Sequence, residues 1–227
     1  MKTYTKEALN EYMKNDWIYK LLLDNTQDNK TRYDEWLFEI EAKRLIYADI
    51  YGDILMQSCE NKKVLDVGGG ISAMTPLLAA NCNYTLVDFL AHGGKEMNGL
   101  TMNWKNMDWY DFEIQDVYDI VIANDIFPDV DQRLEMFIDK FLPHCNELRL
   151  VMTYYNTAKF YLTKRCDDPE LMTFLSWDGE ITALKMMKYL SCAINTTKEE
   201  LASMKYEKNS IYRNGRQVSY IALRGKS

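Results

Sequence analysis

Read as a string of apolar and polar positions, the chain changes rhythm near residue 62. Before that point apolar side chains recur at helical spacing. In "DEWLFEIEAKRLIYADIYGDILM" the stripe is Trp36, Ile40, Ala42, Leu45, Ile46, Ile50 and Leu55, with no proline and only Gly52 to interrupt it. After it, short β-like runs alternate with helical ones. "KVLDV", "NYTLVDF", a weaker segment ending near "NWKNM", "YDIVIANDIF" and "LRLVMTYY" predict five successive strands. The clearest intervening helix is "DVDQRLEMFIDKFL", with Leu134, Phe137, Ile138 and Phe141 on one face. Near-continuous apolar strands separated by helices predict an α/β fold, a Rossmann-like, doubly wound, mostly parallel sheet covered on both faces.

The pattern beyond residue 156 predicts a helical insertion after the fifth strand. "DDPELMTFLSW" joins an acidic cap to a proline, a helix-start signal, and "DGEITALKMMKYL" continues helically. "TTKEELASM" places Thr196 and Glu199 at capping-box spacing. The chain closes with "SIYRNGRQVSYIALR", two β-runs joined by Asn214-Gly215, which predicts a hairpin and an antiparallel final strand. One domain is expected over 1–227: a helical lid at 1–60, a ligand-binding core at 62–156, a helical cap at 157–205 and a closing β-hairpin at 206–227.

Composition narrows the function classes. The chain has 227 residues and a formal net charge of -7, with no run of five or six like charges, which argues against a nucleic-acid partner because phosphate recognition needs clustered Lys and Arg. Cys59, Cys82, Cys145, Cys166 and Cys192 contain no C-x-x-C pair, so reduced thiols in a cytoplasmic protein fit better than a disulfide framework or a zinc site. The N-terminal "MKTYTKEALNEYMKNDW" lacks an apolar signal core, and no run approaches a membrane span.

The chemistry concentrates in "KKVLDVGGGISAMTPLLAA". Gly68, Gly69 and Gly70 stand where the first strand of the alternating zone turns into a helix, and without Cβ atoms they let a ligand approach the backbone. Gly68, Gly70 and Ala73 also spell G-x-G-x-x-A, the relaxed dinucleotide fingerprint, which keeps an NAD(P)-dependent oxidoreductase open. Asp66 weighs the other way. A carboxylate two residues before the glycines repels a pyrophosphate and attracts an ammonium group.

"VLDVGGGIS" resembles the first motif of class I S-adenosylmethionine-dependent methyltransferases, an acid, any residue, then Gly-x-Gly-x-Gly, with Ser72 here in the third glycine's place. The resemblance covers about residues 62–156 and the closing hairpin, roughly two thirds of the chain. It implies S-adenosylmethionine as the cofactor and S-adenosylhomocysteine as the product. It implies that Asp66, Gly68, Gly69 and Gly70 hold the cofactor. Asp88, 20 residues past Gly68, would hold the ribose hydroxyls. Asp108, or Asp111 in its stead, would meet the adenine amine with Trp109 against the ring, and Asn124 would reach the methyl-transfer region. A holding module without turnover is the third reading, because no base stands out.

For the acceptor side, Asp125 and His92 are candidate bases, and Tyr154, Tyr155 and Asn156 end the fifth strand where side chains face a substrate. One of the two adjacent tyrosines must point into packing. Arg32, Tyr33 and Trp36 are candidates for a lid, Tyr33 also for the substrate site, with Trp36 favoured as a core anchor, and His144 reads as structural or solvated. No metal-ligand set stands out. "NDIF" does not match the Asn-Pro-Pro-Tyr-like motif of amino-methylating nucleic-acid enzymes, so the expected partner is a small-molecule acceptor, a sugar or polysaccharide precursor among the options, methylated on oxygen or nitrogen.

Overall fold

The structure is a computed structural model that describes residues 1–26, 30–57, 59–88, 103–164, 171–206, 208–212 and 214–225. Its larger sheet has seven strands in the order β1-β9-β6-β5-β2-β3-β4. These are β1 (Lys2–Thr3), β2 (Lys63–Val67), β3 (Asn83–Val87), β4 (Asn103–Lys105), β5 (Tyr118–Asn124), β6 (Cys145–Tyr155) and β9 (Arg216–Arg224). The five predicted strands are β2 to β6, as their apolar runs require. Two compact units divide the chain: Glu7–Ile122, and Met1–Lys6 with Ala123–Ser227.

In the unit Glu7–Ile122, β2, β3 and β4 pair in parallel, with Val64 opposite Tyr84 and Leu86 opposite Trp104. Four helices precede them: α1 (Lys6–Tyr12), α2 (Trp17–Asn25), α3 (Arg32–Glu39) and α4 (Glu41–Met56). The apolar stripe predicted as continuous is broken at Ile40, whose φ of -114° and ψ of 97° are extended. The break lets two short helices bury separate faces, Leu37 in α3 and Leu45, Ile46, Ile50 and Ile54 in α4. Arg44, itself buried in α4, donates to Asp16 at 2.7 Å and to the carbonyls of Leu37 and Phe38 at 2.7 and 2.9 Å, tying α3 to the start of α2. Helix α5 (Met74–Asn81) follows the glycine turn.

In the other unit, β6 pairs antiparallel with the full length of β9, from Glu147–Arg224 to Tyr155–Arg216. The antiparallel C-terminal strand is therefore as expected, but the hairpin is not. Only its second run is a strand. The first run contributes the isolated bridge of Ser210 to Thr5, and the outer side of β9 is paired by β1, Lys2 opposite Tyr220. An N-terminal strand has taken the place that Asn214-Gly215 suggested for a local partner, because β9 can satisfy its backbone groups with any edge that reaches it.

The segment 157–205 also departs from the all-helical expectation. Lys159–Lys164 (β7) and Leu171–Ser176 (β8) form a two-stranded antiparallel sheet, with Tyr161 opposite Phe174. Their exposure alternates along each strand, the period of 2 that a pleated ribbon imposes. Phe160, Leu162, Leu171 and Leu175 point outward and stay exposed. The acidic Asp167-Asp168-Pro169 start signal lies outside the described residues. The later part is helical as predicted: α7 (Gly179–Met187), capped by Asp178, and α8 (Lys198–Ala202). The capping box of α8 is Thr197 with Glu200, one residue later than its expected place. Helix α6 (Leu134–Phe141) buries the four apolar residues its pattern named. Cys59, Cys82 and Cys145 are buried free thiols, and burial pushes Cys82 and Cys145 up to about 12. Among the described residues no helix is long and apolar enough to cross a membrane.

Candidate functional site

The glycine turn lies in the unit Glu7–Ile122. Gly68 and Gly70 have φ of 68° and 71°, the left-handed region that glycine enters without cost. The turn's amides are already engaged. Gly68 N–H donates to the Val87 carbonyl at 2.9 Å, Gly70 N–H to Asp88 Oδ2 at 2.8 Å, Ser72 N–H to Thr75 Oγ1 at 3.0 Å and Ala73 N–H to Asp34 Oδ1 at 2.7 Å. Two amides that a phosphate would want thus meet carboxylates. Asp88 reaches Gly70 because it ends β3, the strand paired to β2. Asp34 reaches Ala73 from the first turn of α3, where it also closes a capping box by accepting from Thr31 N–H and Oγ1 at 2.9 and 2.8 Å.

A third acid lies under the same turn. Asp66 is buried in β2, and its Oδ2 accepts from the hydroxyls of Tyr51 at 2.9 Å and Tyr84 at 2.6 Å. Among the described residues its Oδ1 has no hydrogen-bond partner. A Cβ added to Gly69 would collide with this carboxylate, so Gly69 is glycine because Asp66 packs against its α-carbon. Burial raises the Asp66 carboxyl to about 7; the two phenols lower it and Asp88 raises it further. Tyr47 donates to the Gly69 carbonyl at 3.2 Å, completing a phenolic floor of Tyr47, Tyr51 and Tyr84.

Tyr33 sits on the turn as well. Its ring packs against Gly70 so closely that a Cβ there would overlap it. The face of Gly70 reserved for a ligand on sequence grounds is thus lined by an aromatic ring from α3. Trp36, expected as a core anchor, is half-buried instead; Tyr33 meets it edge-on at 5.2 Å and the cations of Arg32 and Lys43 lie 5.6 and 5.3 Å from its ring centroid. Leu37 fills the core position beside it.

The expected adenine end is tied up locally. Asp108 Oδ1 accepts from Tyr110 N–H at 2.8 Å and its carbonyl from Asp111 N–H at 3.1 Å, so it organises a turn. Trp109 is 5% exposed, more buried than a ring offered flat to a ligand.

The unit Ala123–Ser227 carries a second polar cluster. Asp125 follows β5 with a φ of 63°, a left-handed conformation unusual for a residue with a side chain and costly unless the surroundings impose it. They do: its N–H donates to Val151 O at 3.1 Å, and its Oδ1 accepts from Thr153 Oγ1 at 2.5 Å and from Arg216 Nη2. Arg216 also donates to Thr153 Oγ1 at 3.1 Å and lies 4.8 Å from the Tyr212 ring centroid. Asp125 is therefore half of an ion pair, which weakens its case as a free base. Asn124 Oδ1, Arg216 Nε and Tyr212 Oη are buried without hydrogen-bond partners among the described residues.

Beside it, Tyr161 Oη donates to Asp129, 3.1 Å from both carboxylate oxygens, and lies 3.4 Å from Tyr155 Oη. Because the one Tyr161 proton goes to Asp129, the Tyr155 hydroxyl donates to Tyr161 and keeps its own lone pairs for another donor. Asp129 is buried, and that burial raises its carboxyl, while Arg216 and Tyr161 pull it down. Tyr154 is fully buried and paired with Ser219 at 3.2 Å, so it is the packing member of the two adjacent tyrosines; Asn156 is exposed. His144 is exposed, as expected, and His92 lies outside the described residues.

Sequence reasoning missed Asp34, Tyr47, Tyr51, Tyr84, Asp129, Tyr161 and Arg216. Only Asp34 carried a signal, the Thr31-x-x-Asp34 capping spacing, and that signal names a helix start rather than a partner for Ala73. Among the described residues no cluster of His, Cys, Asp and Glu forms a metal site.

No protein-family model matches the chain, and no curated protein sequence does. Solved structures do match in shape. The Burkholderia thailandensis 1,6-didemethyltoxoflavin-N1-methyltransferase, with bound 1,6-didemethyltoxoflavin and S-adenosylhomocysteine, aligns with a TM-score of 0.54 at 12% identity over 96% of this chain and 90% of its own. A DhpI complex with S-adenosylmethionine aligns with a TM-score of 0.50 at 14% identity over 97% and 99%. The chain has the Rossmann-like fold that these structures share.

Proposed function

We propose that the chain is an S-adenosylmethionine-dependent methyltransferase that acts as one domain and moves a methyl group to an oxygen or nitrogen of a small-molecule acceptor. One observation carries this reading: three carboxylates surround the glycine turn, and two of them occupy its amides. A pyrophosphate at that turn would meet negative charge instead of free N–H groups, which disfavours NAD. An adenosyl ligand with an ammonium group and no phosphate suits it. The two matched structures, a methyltransferase with S-adenosylhomocysteine and a DhpI complex with S-adenosylmethionine, support the same reading.

The residues present fit that cofactor. Gly68, Gly69 and Gly70 would carry it on backbone that lacks side chains, Asp66 would supply negative charge, and Asp88 would take the ribose hydroxyls. The cofactor supplies an already activated methyl, so the protein's work is alignment and exclusion of water. In the unit Ala123–Ser227, the Asp129–Tyr161–Tyr155 chain presents an acceptor oxygen to an N–H or O–H of the bound molecule. A site of carboxylates, hydroxyls and one guanidinium suits a polyhydroxylated acceptor such as a sugar precursor. An acceptor of that kind fits a cytoplasmic setting.

Thermal shift with S-adenosylhomocysteine, NAD and NADP tests this reading. A ligand at about 100 times its Kd stabilises by roughly 2.7 kcal/mol. A shift with S-adenosylhomocysteine alone is expected, and a shift with NAD alone would replace this reading with the oxidoreductase one.

A further inference from the structure

We propose that the outer face of the β7–β8 ribbon is a self-association surface, on which a second copy of this chain packs face to face about a two-fold axis. The observation that carries it is a small sheet with apolar side chains on both sides. A strand with one wet face alternates apolar with polar residues, but "KFYLTK" and "LMTFLS" place large apolar residues at successive positions. The register sets Phe160 opposite Leu175, Leu162 opposite Thr173 and Lys164 opposite Leu171, so Phe160, Leu162, Leu171 and Leu175 share one face. On that face they are 70%, 68%, 68% and 43% exposed.

The inner face is already committed. It carries Tyr161, Thr163, Met172 and Phe174, with Tyr161 stacked on Phe174 at 5.4 Å and its hydroxyl donated to Asp129. The end of β8 is fastened too: Gln132 Nε2 donates to the Leu175 carbonyl at 2.6 Å, and Tyr155 N–H donates to the Trp177 carbonyl at 2.9 Å. All of these partners belong to the unit Ala123–Ser227. The ribbon cannot roll its outer face inward without breaking these bonds, so that face is left for another surface to cover.

Size, shape and charge select the occupant. At these exposures the four side chains offer on the order of 500 Å² per copy. Two copies would cover about 1,000 Å², the area at which specific association begins. From Leu171 to Leu175 the patch runs about 13 Å along the strand, and a two-stranded ribbon has no concave wall to enclose a small molecule. A lipid surface is disfavoured by the net charge of -7, because anionic headgroups attract basic segments. A second ribbon fits: stacked sheets pack about 10 Å apart by interdigitating such side chains, and a two-fold axis lets one patch serve as its own complement. Lys164, exposed at the end of the face, keeps its charge in water when the apolar centre is covered. A two-stranded ribbon is marginal in water on its own, so the cover also steadies Tyr161 against Asp129 on the opposite face.

Sedimentation velocity on the full chain, from about 1 to about 100 μM, tests this. Wild type is expected to move from monomer toward dimer over that range. Leu162→Glu, at the centre of the face, should weaken the dimer about thirtyfold or more, and Leu171→Glu on the facing strand should do the same. Both side chains are exposed in the monomer, so far-UV circular dichroism should not change; if one variant fails to fold, the other carries the test. Leu184→Glu, similarly exposed on α7 but outside the face, should associate as wild type does. Hydrogen exchange gives an independent reading: the amides of β7 and β8 should gain protection as the wild-type concentration rises, and should not in Leu162→Glu. A wild type that stays monomeric at about 100 μM overturns the proposal. So does a dimer that Leu162→Glu and Leu171→Glu leave intact, or one that Leu184→Glu weakens as much. A monomer that sediments with vesicles of neutral and anionic phospholipid, and no longer does so in Leu162→Glu, gives the face to lipid and overturns it as well.

Discussion

The two acidic clusters of this molecule are built on opposite principles. In the unit Glu7–Ile122, Asp66 is held by two neutral phenols and, among the described residues, by no cation. In the unit Ala123–Ser227, Asp125 is held by a guanidinium and a hydroxyl from the same chain. The first carboxylate lacks a counter-charge among the described residues, whereas the second is complete in that one respect. Burial explains why this matters: a low-dielectric site strengthens both the attraction of a matched pair and the penalty of an unmatched charge. An incomplete site stores an affinity for whatever supplies the missing charge. A complete one fixes geometry, here the left-handed backbone of Asp125, and leaves recognition to neighbours such as Asn124, Tyr155 and Tyr161.

The largest way to break the contrast is pH. A carboxyl whose folded value is raised to about 7 binds its proton more tightly in the folded protein than in the unfolded chain, where 3.8 applies. Stability from this group is fully present below about pH 4 and is lost as pH rises through 7. The difference in unfolding free energy between pH 4 and pH 8 should therefore be roughly 4 kcal/mol less favourable to high pH in wild type than in Asp66→Asn, measured by urea denaturation. Parallel pH profiles for the two proteins would refute the raised value.

Next in size is Arg216→Ala. It leaves Asp125 partly buried with the Thr153 hydroxyl but without the guanidinium, and a loss of about 3 kcal/mol is expected, with much of it recovered when Asp125→Ala is added. If the double variant is no better than the single one, the pair is not what holds that turn.

Gly69→Ala should cost about 2 kcal/mol, because the new methyl meets the Asp66 carboxylate. Because the clash is with one side chain, Asp66→Ala should suppress most of the loss, and a full loss in the double variant would place the strain in the backbone instead. The mildest change is Tyr161→Phe, which removes the hydrogen bonds to Asp129 and from Tyr155 and should cost about 1–2 kcal/mol while leaving the stack on Phe174 intact. It sharpens the comparison by asking whether the complete cluster tolerates a lost donor.

The parts of this fold that are local were legible in the residues. Strands β2, β3, β5 and β6 announce themselves by apolar runs, and the glycine turn by its composition. What was not legible depends on which element arrives from elsewhere. Nothing in "KTY" says that Lys2–Thr3 will pair with β9, because a strand edge selects partners by reach. Nothing near Gly70 says that Tyr33 will lie on it, since 37 residues separate them in sequence. In β7 and β8 the alternating exposure was present but was outvoted by an acidic-proline start signal, a case of punctuation weighed above periodicity. Asp66 was picked out for its charge, but its phenolic partners and its burial could be known only from packing.

The buried thiols give the molecule its own clocks. Cys59 and Cys82 lie in one unit and Cys145 in the other, each shielded from reagent until its surroundings open. Their rates of reaction with a thiol probe under native conditions therefore report local opening at each place separately. Equal rates with added denaturant would mean that both units unfold as one cooperative body, and unequal rates would rank them without any label being engineered.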